Sequence, residues 1–575
     1  MFEITLVIVI ALGLAWPLGH YMAGVFSGQP HFSDRIFGPL ERCIYKAIGV
    51  NPAVGMTWKA YMLAFLFSNL VLGVLAYLIL LLQHVLPMNP DNIGPLSWDL
   101  ALHTAVSFLT NTNQQHYSGQ AQLSYLSQSF LIVTLQVVTP ATALAVCVAI
   151  LRGMIGGRNQ DAAKEGEPRD LGNYYVDLVR SVLRLLLPLA LVTSLLLTWQ
   201  GVPSTYEGAR ITQTLDPAAE MREQRIPVGP VSPMVAIKQL GTNGGGWYGP
   251  NSANPLENPT PVSNLIQTIA LILIPMATVF MAGYLLRRRH FAVLSLAVMG
   301  VMSIVFIGAT VLSEQQPNAA FAELSAQGAN MEGKEVRFGP ALSALWGTLT
   351  TQTSNGSVNS MIDSFNPIGG LMTRAGMLIN AIWGGVGVGF VGFLVYVWIA
   401  VFLSGLMIGR TPEFFGRKIE TREITLLGVL IVLPTIVILG LTAITVGIPG
   451  LAQNSNPGFH GLSQVFYEYT SAFANNGSGF EGLGDNTVWW NLTCVLALLL
   501  GRYLPLVLPL MVAGWLASKR VSPVSNSTLR LESVTFGVTL IAVILILNFL
   551  SFLPSAVLGP IGEGLELSTT VSRPE

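Results

Sequence analysis

The sequence predicts an all-α polytopic membrane protein with about ten transmembrane helices. Only 10% of its 575 residues are charged and 51% are hydrophobic, whereas an average soluble protein has about 25% charged residues. The chain contains ten long apolar stretches, and a polar cluster rich in Thr, Asn and Gly recurs four times between them. Together these observations predict four pseudo-symmetric repeats of helix, pore loop and helix, with one extra helix at each end.

The ten apolar stretches have the length of about 20 residues that a helix needs to cross a bilayer. They lie near residues 2–26, 60–87, 123–151, 173–199, 262–286, 291–313, 375–408, 424–448, 487–516 and 531–556. No basic residue precedes the first stretch. We therefore expect a retained transmembrane helix there, since a cleaved signal peptide has a positive segment ahead of a shorter apolar run.

The four polar clusters occupy alternate connections between these stretches. They read FLTNTNQ (108–114), QLGTNGG (239–245), TTQTSNG (350–356) and AFANNGSG (472–479). Non-helical backbone at membrane depth is tolerated only where it lines a protein cavity or a water-filled path. Such sequences are also common in ordinary turns, so the alternative is four unrelated surface loops. Their matching positions favour four pore loops, each preceded by a half-membrane helix starting near Ser97, Ser232, Gly339 and Gly461.

Basic residues are concentrated in the connections without clusters. These are Arg35, Arg42, Lys46, Lys59, Arg152, Arg158, Lys164, Arg169, Arg287, Arg288, Arg289, Arg410, Arg417, Lys418, Arg422, Lys519, Arg520 and Arg530. By the positive-inside rule these connections face the cytoplasm, and both the pore loops and the termini face outside.

The resulting division of the chain has six parts. Residues 1–58 form an N-terminal transmembrane helix and a cytoplasmic loop, and residues 530–575 form a C-terminal transmembrane helix and tail. The four repeats between them cover residues 59–151, 172–286, 291–409 and 424–516. Repeats of this kind indicate pseudo-symmetry about an axis along the membrane normal.

The composition of the clusters predicts a monovalent cation as their ligand. Each half-helix would point its C-terminal end, which carries about half a negative charge, at the cluster. Rings of backbone carbonyls can replace the water around an ion, and Gly244, Gly356 and Gly477 would permit the backbone conformations that this needs. The cluster cores contain no acidic residue, whereas Ca²⁺ and Mg²⁺ sites usually include carboxylates.

Other functional classes lack support in the sequence. A formal net charge of −1 gives no basic field for nucleic acid. Cys43, Cys147 and Cys494 have no CxxC spacing and the seven histidines are scattered, so we expect neither a disulfide framework nor a zinc site. There is no DKTG segment and no GxxxxGK[ST] phosphate loop, so ATP hydrolysis is not assigned to this chain.

At these clusters the chain resembles the KdpA family, the potassium-channel-like subunits of the bacterial Kdp potassium-transporting P-type ATPases. Further matches are NMEGKEVRFG (330–339), GGVGVG (384–389), SGLMIGRTPE (404–413) and NPGFHG (456–461). The resemblance covers essentially the whole chain and implies a K⁺-channel-like selectivity filter at the centre of the four repeats.

The resemblance also implies which residues bind K⁺, the transported ion. They are Thr110, Asn111, Thr112, Asn113 and Gln115 in the first segment, Thr242, Asn243 and Gly244 in the second, Ser354, Asn355 and Gly356 in the third, and Asn475, Asn476 and Gly477 in the fourth. Two positions depart from the family pattern: Asn355 stands where Cys is frequent, and Asn380 stands where Glu is expected. We leave Asn380 out of the site.

One charge and one glycine run within the membrane have two interpretations each. Arg502 is the only charge between Asp485 and Lys519, and an intramembrane charge is a functional candidate. By resemblance it lies below the filter and obstructs free conduction; the alternative is a structural ion pair with Glu468. The run Gly384–Gly392 either permits close helix packing or forms a flexible gate or ion-tunnel wall.

The resemblance implies a K⁺-selective binding and translocation subunit of an ATP-driven, high-affinity uptake complex, located in the bacterial plasma (inner) membrane. ATP hydrolysis would belong to a KdpB-like P-type ATPase catalytic subunit, and KdpC-like and KdpF-like accessory membrane subunits would complete the complex. The alternative is a self-sufficient K⁺ channel or symporter of the same four-repeat superfamily. A secondary transporter of organic solutes would have inverted halves with broken helices rather than four parallel pore loops.

Overall fold

Almost all regular structure in the described part of the chain is helical. The structure is a computed structural model that describes residues 2–158, 166–216, 221–320, 328–522 and 530–571; Lys164 of the predicted basic connections and residues 572–575 of the predicted tail lie outside them. The α-helices are α1 (Phe2–Phe26), α2 (Ser33–Ala47), α3 (Trp58–Leu82), α4 (Trp98–Leu109), α5 (Gly119–Gln122), α6 (Val133–Met154), α7 (Tyr174–Arg180), α8 (Leu187–Trp199), α9 (Val231–Leu240), α10 (Pro261–Leu285), α11 (Arg289–Glu314), α12 (Gly339–Gln352), α13 (Pro367–Ile379), α14 (Val388–Met407), α15 (Thr421–Gly447), α16 (Gly458–Phe473), α17 (Val488–Ser518), α18 (Val534–Ala556) and α19 (Gly562–Val571).

Short irregular elements join these helices. Turns of π-helix lie at Ser127–Ile132, Ser181–Leu186 and Val557–Ile561, and 3₁₀ turns lie at Asn251–Ala253 and Ile362–Ser364. Two small antiparallel hairpins are formed by β1 (Arg210–Gln213) with β2 (Glu223–Ile226), and by β3 (Glu413–Phe414) with β4 (Arg417–Lys418).

The predicted number of membrane spans is confirmed. Within the described ranges, ten helical stretches are long and apolar enough to cross a membrane: Phe2–Phe26, Trp58–Leu82, Ser127–Met154, Tyr174–Trp199, Pro261–Leu285, Arg289–Glu314, Val388–Met407, Thr421–Gly447, Val488–Ser518 and Val534–Ser568. A helix satisfies all of its interior backbone groups by itself, which is why apolar stretches of this length become helices.

The seventh span differs from its prediction. The sequence predicts one helix over 375–408, but the chain forms α13, leaves the helical conformation, and starts α14 at Val388. The break follows Asn380, which is left-handed with φ 45°, and contains Gly384, Gly385 and Gly387 at positive φ. Hydrophobicity alone did not reveal the break, because the residues in it are as apolar as a helix that crosses a bilayer.

The four predicted half-helices are present as α4, α9, α12 and α16. Each ends directly at its polar cluster, at Leu109, Leu240, Gln352 and Phe473 respectively. All four are buried over most of their length. They are therefore interior elements of the protein, surrounded by the longer helices.

The spanning helices divide into an inner and an outer set. In the most apolar stretches of Ser127–Met154 and Pro261–Leu285, 78% of the residues are buried, against 22% for α3 and 17% for α15. On α3, Leu63, Phe67 and Leu70 are exposed, as expected of side chains that face lipid. Small residues allow the inner helices to approach one another closely: an added Cβ at Gly19 of α1 would lie only 2.5 Å from the Phe280 Cβ of α10.

A partly buried histidine connects the last helix to the loops around the half-helices. His460, in the first turn of α16, lies 2.9 Å from the Asp363 carboxylate and 2.8 Å from the Glu563 carboxylate of α19. Burial by itself lowers the pKa of His460, but the hydrogen bonds to Asp363 and Glu563 outweigh it and raise the pKa to about 9. The protonated ring therefore bridges two carboxylates at neutral pH.

This bridge predicts a loss of stability at alkaline pH. Because the folded-state pKa is above the ordinary value of 6.5, the contribution is complete below pH 6.5 and is lost as the pH rises through about 9, by at most about 3 kcal/mol. Thermal unfolding of the purified protein in detergent between pH 6 and 10 measures this loss of stability. We expect His460→Gln to be less stable at pH 7 and to lose less between pH 7 and 10.

The matched control for this measurement is His84→Gln, since His84 is exposed at the end of α3. The control should follow the wild-type pH profile. Identical profiles for His460→Gln and the wild type would contradict the assignment.

Candidate functional site

The four polar clusters adopt the same backbone conformation. A first left-handed residue occurs in each, namely Asn111, Thr242, Ser354 and Asn475, with φ of 64°, 50°, 46° and 53°. Two positions later a second one follows, namely Asn113, Gly244, Gly356 and Gly477, with φ of 55°, 84°, 88° and 100°. The residue between them has a negative φ. Alternation between left- and right-handed conformations turns successive amide groups to one side and their carbonyls to the other.

The four segments close into a ring, which we call the cluster ring (residues 110–113, 241–244, 353–356 and 474–477). A Cβ at Gly244 would lie 1.9 Å from the carbonyl oxygen of Asn355, and one at Gly356 would lie 2.0 Å from that of Asn476. A Cβ at Gly477 would lie 2.1 Å from the carbonyl oxygen of Thr112. Each segment therefore contacts the next in chain order, and the fourth returns to the first.

Asparagine side chains join neighbouring segments of the ring. The Asn111 amide nitrogen donates to the Thr242 carbonyl at 2.9 Å. In the third and fourth segments, Asn355 donates to the Lys238 carbonyl at 3.0 Å and Asn476 donates to the Thr350 carbonyl at 2.8 Å. In these last two bonds the acceptor carbonyl lies near the C-terminal end of the preceding half-helix. Each bond therefore joins two segments of the ring and also satisfies a helix carbonyl that lacks a partner within its own helix.

The structure brings most of the residues predicted for the site together in this ring. Thr110, Asn111, Thr112, Asn113, Thr242, Asn243, Ser354, Asn355, Asn475 and Asn476 all have buried side chains. Gln115 lies two residues beyond the first segment, and both ends of its side-chain amide bond the Gly246 backbone, at 2.9 and 3.0 Å. Its side chain therefore fastens the first repeat to the second.

A buried ion pair supports the second segment of the ring through one intervening side chain. The Lys238 ammonium contacts the Glu257 carboxylate and donates to Asn251 Oδ1 at 2.6 Å. Asn251 in turn donates to the Gly244 carbonyl at 2.6 Å. The pair holds one ring carbonyl in place while its own charges compensate each other.

Arg502 lies two hydrogen bonds away from the ring. Its guanidinium donates to the Thr139 carbonyl at 3.0 Å, and the Thr139 hydroxyl donates to Asn111 Oδ1 at 2.9 Å. Among the described residues Arg502 forms no ion pair, so the alternative of a pair with Glu468 is not what the structure contains. Glu468 instead contacts Gln114 and His116.

The break between α13 and α14 lies against the ring and includes a residue that sequence reasoning left out. Asn380 Oδ1 accepts from the Ser354 hydroxyl at 2.6 Å, and Asn380 Nδ2 donates to the Ala474 carbonyl at 3.1 Å. The side chain thus joins the third and fourth segments. Its place ahead of a glycine run inside an apolar stretch was the signal available in the sequence.

The glycine run itself is packed under the second and third segments. The backbone amide of Val386 donates to the Thr242 hydroxyl at 3.0 Å, and a Cβ at Gly385 would lie 3.0 Å from the Thr353 carbonyl oxygen. Close packing of this run is therefore confirmed. Its role as a gate or as the wall of an ion tunnel stays a prediction.

The ring can coordinate a cation through neutral oxygens. Backbone carbonyls, the hydroxyls of Thr and Ser and the amide oxygens of Asn are the oxygen ligands that its residues offer, and no carboxylate belongs to the four segments. The C-terminal ends of four half-helices add partial negative charge to the same place. Oxygen rings of this type replace the hydration shell of monovalent ions in channels.

The sequence is similar to those of known proteins over almost its whole length. Residues 5–565 match the family described as KdpA, the potassium-transporting ATPase A subunit. Proteins named potassium-transporting ATPase potassium-binding subunit are 45% identical over 570 residues in Gloeobacter violaceus, with 98% of this chain and 97% of that protein covered. The Synechocystis sp. protein is 44% identical (98% and 99% covered) and that of Pseudomonas aeruginosa is 46% identical (96% and 96% covered).

Comparison of folds finds a transporter with a similar fold. The crystal structure of the potassium transporter TrkH from Vibrio parahaemolyticus superposes with a TM-score of 0.53 over 88% of this chain and 98% of that chain, at 15% identity. This similarity concerns the fold, which the two proteins share as a pore-loop repeat architecture. Because the family match extends over nearly the whole sequence, the chain belongs to the KdpA family of potassium-transporting ATPase A subunits.

Proposed function

We propose that the cluster ring selects and binds K⁺, and that the chain is the K⁺-binding and translocating subunit of an ATP-driven, high-affinity uptake complex. The observation that carries the proposal is the fourfold recurrence of two left-handed positions in segments that close on one another. The names of the relatives, potassium-binding subunits of potassium-transporting ATPases, support K⁺ as the ion.

The residues that bind K⁺ in this proposal are those of the four segments. They contribute mainly backbone oxygens, so Asn355 in place of Cys leaves the coordination unchanged. A ring closed by direct contacts keeps a fixed diameter, and carbonyl rings discriminate among monovalent cations through diameter and through the number and strength of their dipoles. Gln115 acts by holding the Gly246 backbone through both ends of its side-chain amide rather than by coordinating K⁺.

In this proposal the ring receives K⁺ from outside the bacterial inner membrane. The concentration of Lys and Arg in the connections opposite to the pore loops supports this orientation. Arg502, which donates to the Thr139 carbonyl next to Asn111, would in this proposal present its positive charge to an ion that has passed the ring. It would prevent an ion from leaving freely, so that K⁺ passes only when the complex is driven.

The energy for uptake is supplied by partners in this proposal. A KdpB-like catalytic subunit would hydrolyse ATP, and KdpC-like and KdpF-like subunits would complete the assembly. Two facts support the assignment of ATP hydrolysis to a partner. The sequence lacks a phosphorylation segment and a phosphate loop, and the relatives are named as subunits of an ATPase.

The first test separates a pump subunit from a self-sufficient channel or symporter. We expect the complex purified at its native subunit composition to hydrolyse ATP at a rate that rises with K⁺ concentration. The chain alone, reconstituted in lipid vesicles, should accumulate no K⁺. Uptake by the lone chain without ATP would favour the channel or symporter.

The second test replaces one glycine of the ring. In Gly244→Ala the new Cβ would collide with the Asn355 carbonyl in a left-handed backbone, and strain of about 1–3 kcal/mol would oppose ring closure. Half-maximal stimulation of ATPase activity should then need about tenfold more K⁺, since 1.4 kcal/mol is a factor of ten, and discrimination of K⁺ from Rb⁺ should decrease.

The matched control is Gly339→Ala. Gly339 also has a positive φ, of 69°, but an added Cβ there meets nothing within 4 Å. This variant should keep the wild-type affinity and ion preference. Unchanged K⁺/Rb⁺ discrimination in Gly244→Ala would contradict the role of the ring as a filter.

The third test concerns Arg502. We expect Arg502→Gln to give K⁺ leakage from vesicles in the absence of ATP, because the positive charge beyond the ring is removed. The control is Arg374→Gln, in which a buried arginine bonded to Ser463 and Gly370 is replaced. If vesicles with Arg502→Gln do not leak K⁺ and still show normal ATP-driven uptake, the positive charge of Arg502 does not block conduction.

A further inference from the structure

Three potential metal ligands that are distant in the sequence meet in the interior of the protein. His116 follows the first segment of the ring, Glu468 lies in α16 and Cys494 lies in α17. One ligand atom from each lies within 4.8 Å of the others, and all three residues are buried. The spacing of His and Cys along the chain predicts no zinc site, but contacts between repeats 1 and 4 bring these three residues together.

A hydrogen-bond chain fixes the tautomer of His116. The amide nitrogen of Asn491 donates to Asp99 Oδ2 at 2.8 Å, so the amide oxygen faces the other way. That oxygen lies 2.7 Å from Nδ1 of His116, and Nδ1 must carry the proton that it accepts. A histidine held in this way through one nitrogen presents the other as a ligand, the arrangement found around bound metals.

The other ring nitrogen of His116, Nε2, faces an acceptor. Nε2 lies 3.3 Å from Oε1 of Glu468, and two lone pairs at that distance repel each other unless a cation lies between them. A proton on Nε2 is one such cation. The nearby thiol of Cys494 adds a soft ligand, which has no role if the cation is a proton but binds a metal ion. One His, one carboxylate and one Cys form a set of ligands suited to Zn²⁺.

The surroundings restrain the His116 ring, and a further carboxylate lies close to it. The ring of His103 stacks on that of His116 with centroids 3.8 Å apart and planes inclined by 16°, which prevents the imidazole of His116 from turning away. Asp485 Oδ2 lies 4.0 Å from Nε2, and the Asp485 side chain is 30% exposed. A fourth ligand, either this carboxylate or water, is thus available on the side from which an ion would enter.

We propose that His116, Glu468 and Cys494 form a site for a soft divalent cation, Zn²⁺, with Asp485 at its entrance. The site is separate from the cluster ring, whose ligands are neutral oxygens, and the proposal does not depend on the identity of the transported ion.

The test uses the complete purified complex, stripped with a chelator and titrated with Zn²⁺. Bound zinc is counted by elemental analysis, and Cd²⁺ is used in parallel because its bond to a thiolate gives an ultraviolet charge-transfer band. We expect one zinc per chain and a cadmium–thiolate band. Cys494→Ser should abolish the band, and Asn491→Ala, which releases Nδ1 of His116, should weaken zinc binding by 10–100-fold.

The matched control is Cys147→Ser, since Cys147 is equally buried but has apolar neighbours in α6. It should keep both the zinc stoichiometry and the band. ATPase activity measured without zinc verifies that each variant is folded. Zinc binding that is equal in the wild type, Cys494→Ser and Asn491→Ala, or the absence of saturable binding in the wild type, would overturn the proposal.

Discussion

The need to satisfy backbone polar groups away from water governs this structure. Helices meet it by themselves, but the four segments of the cluster ring interrupt helices in the interior and must find partners elsewhere. They find them in one another: Asn355 and Asn476 donate to carbonyls of the preceding repeat, and Asn111 donates to Thr242. Ring closure is thus the condition under which non-helical backbone can exist at that depth.

The same constraint explains why glycine occupies the second left-handed position in three repeats. At Gly244, Gly356 and Gly477 a Cβ would penetrate a carbonyl of the neighbouring segment. The first repeat has Asn113 instead, a residue type that tolerates the left-handed conformation. The four ring segments are therefore alike in backbone conformation and different in side chains, which allows each to carry different supporting contacts without changing the ring.

These supporting contacts make the ring part of the whole membrane domain. Lys238 and Glu257 hold Gly244 through Asn251, while Asn380 connects two segments to the break before α14. The break, in turn, bonds Thr242 through the amide of Val386. The segment between α13 and α14 is thus joined to the ring by direct hydrogen bonds on three of its four segments.

The number of spans, the half-helices and the location of the clusters could be predicted from the sequence, because hydrophobicity over about 20 residues and local turn composition are properties of neighbouring residues. Contacts between distant residues decided the rest. The break at Asn380 is hidden in an apolar stretch, Arg502 bonds Thr139 rather than Glu468, and His116 meets Cys494 only across the first and fourth repeats. Side chains so far apart in the chain acquire their partners from the packing of the repeats, and no local pattern records that packing.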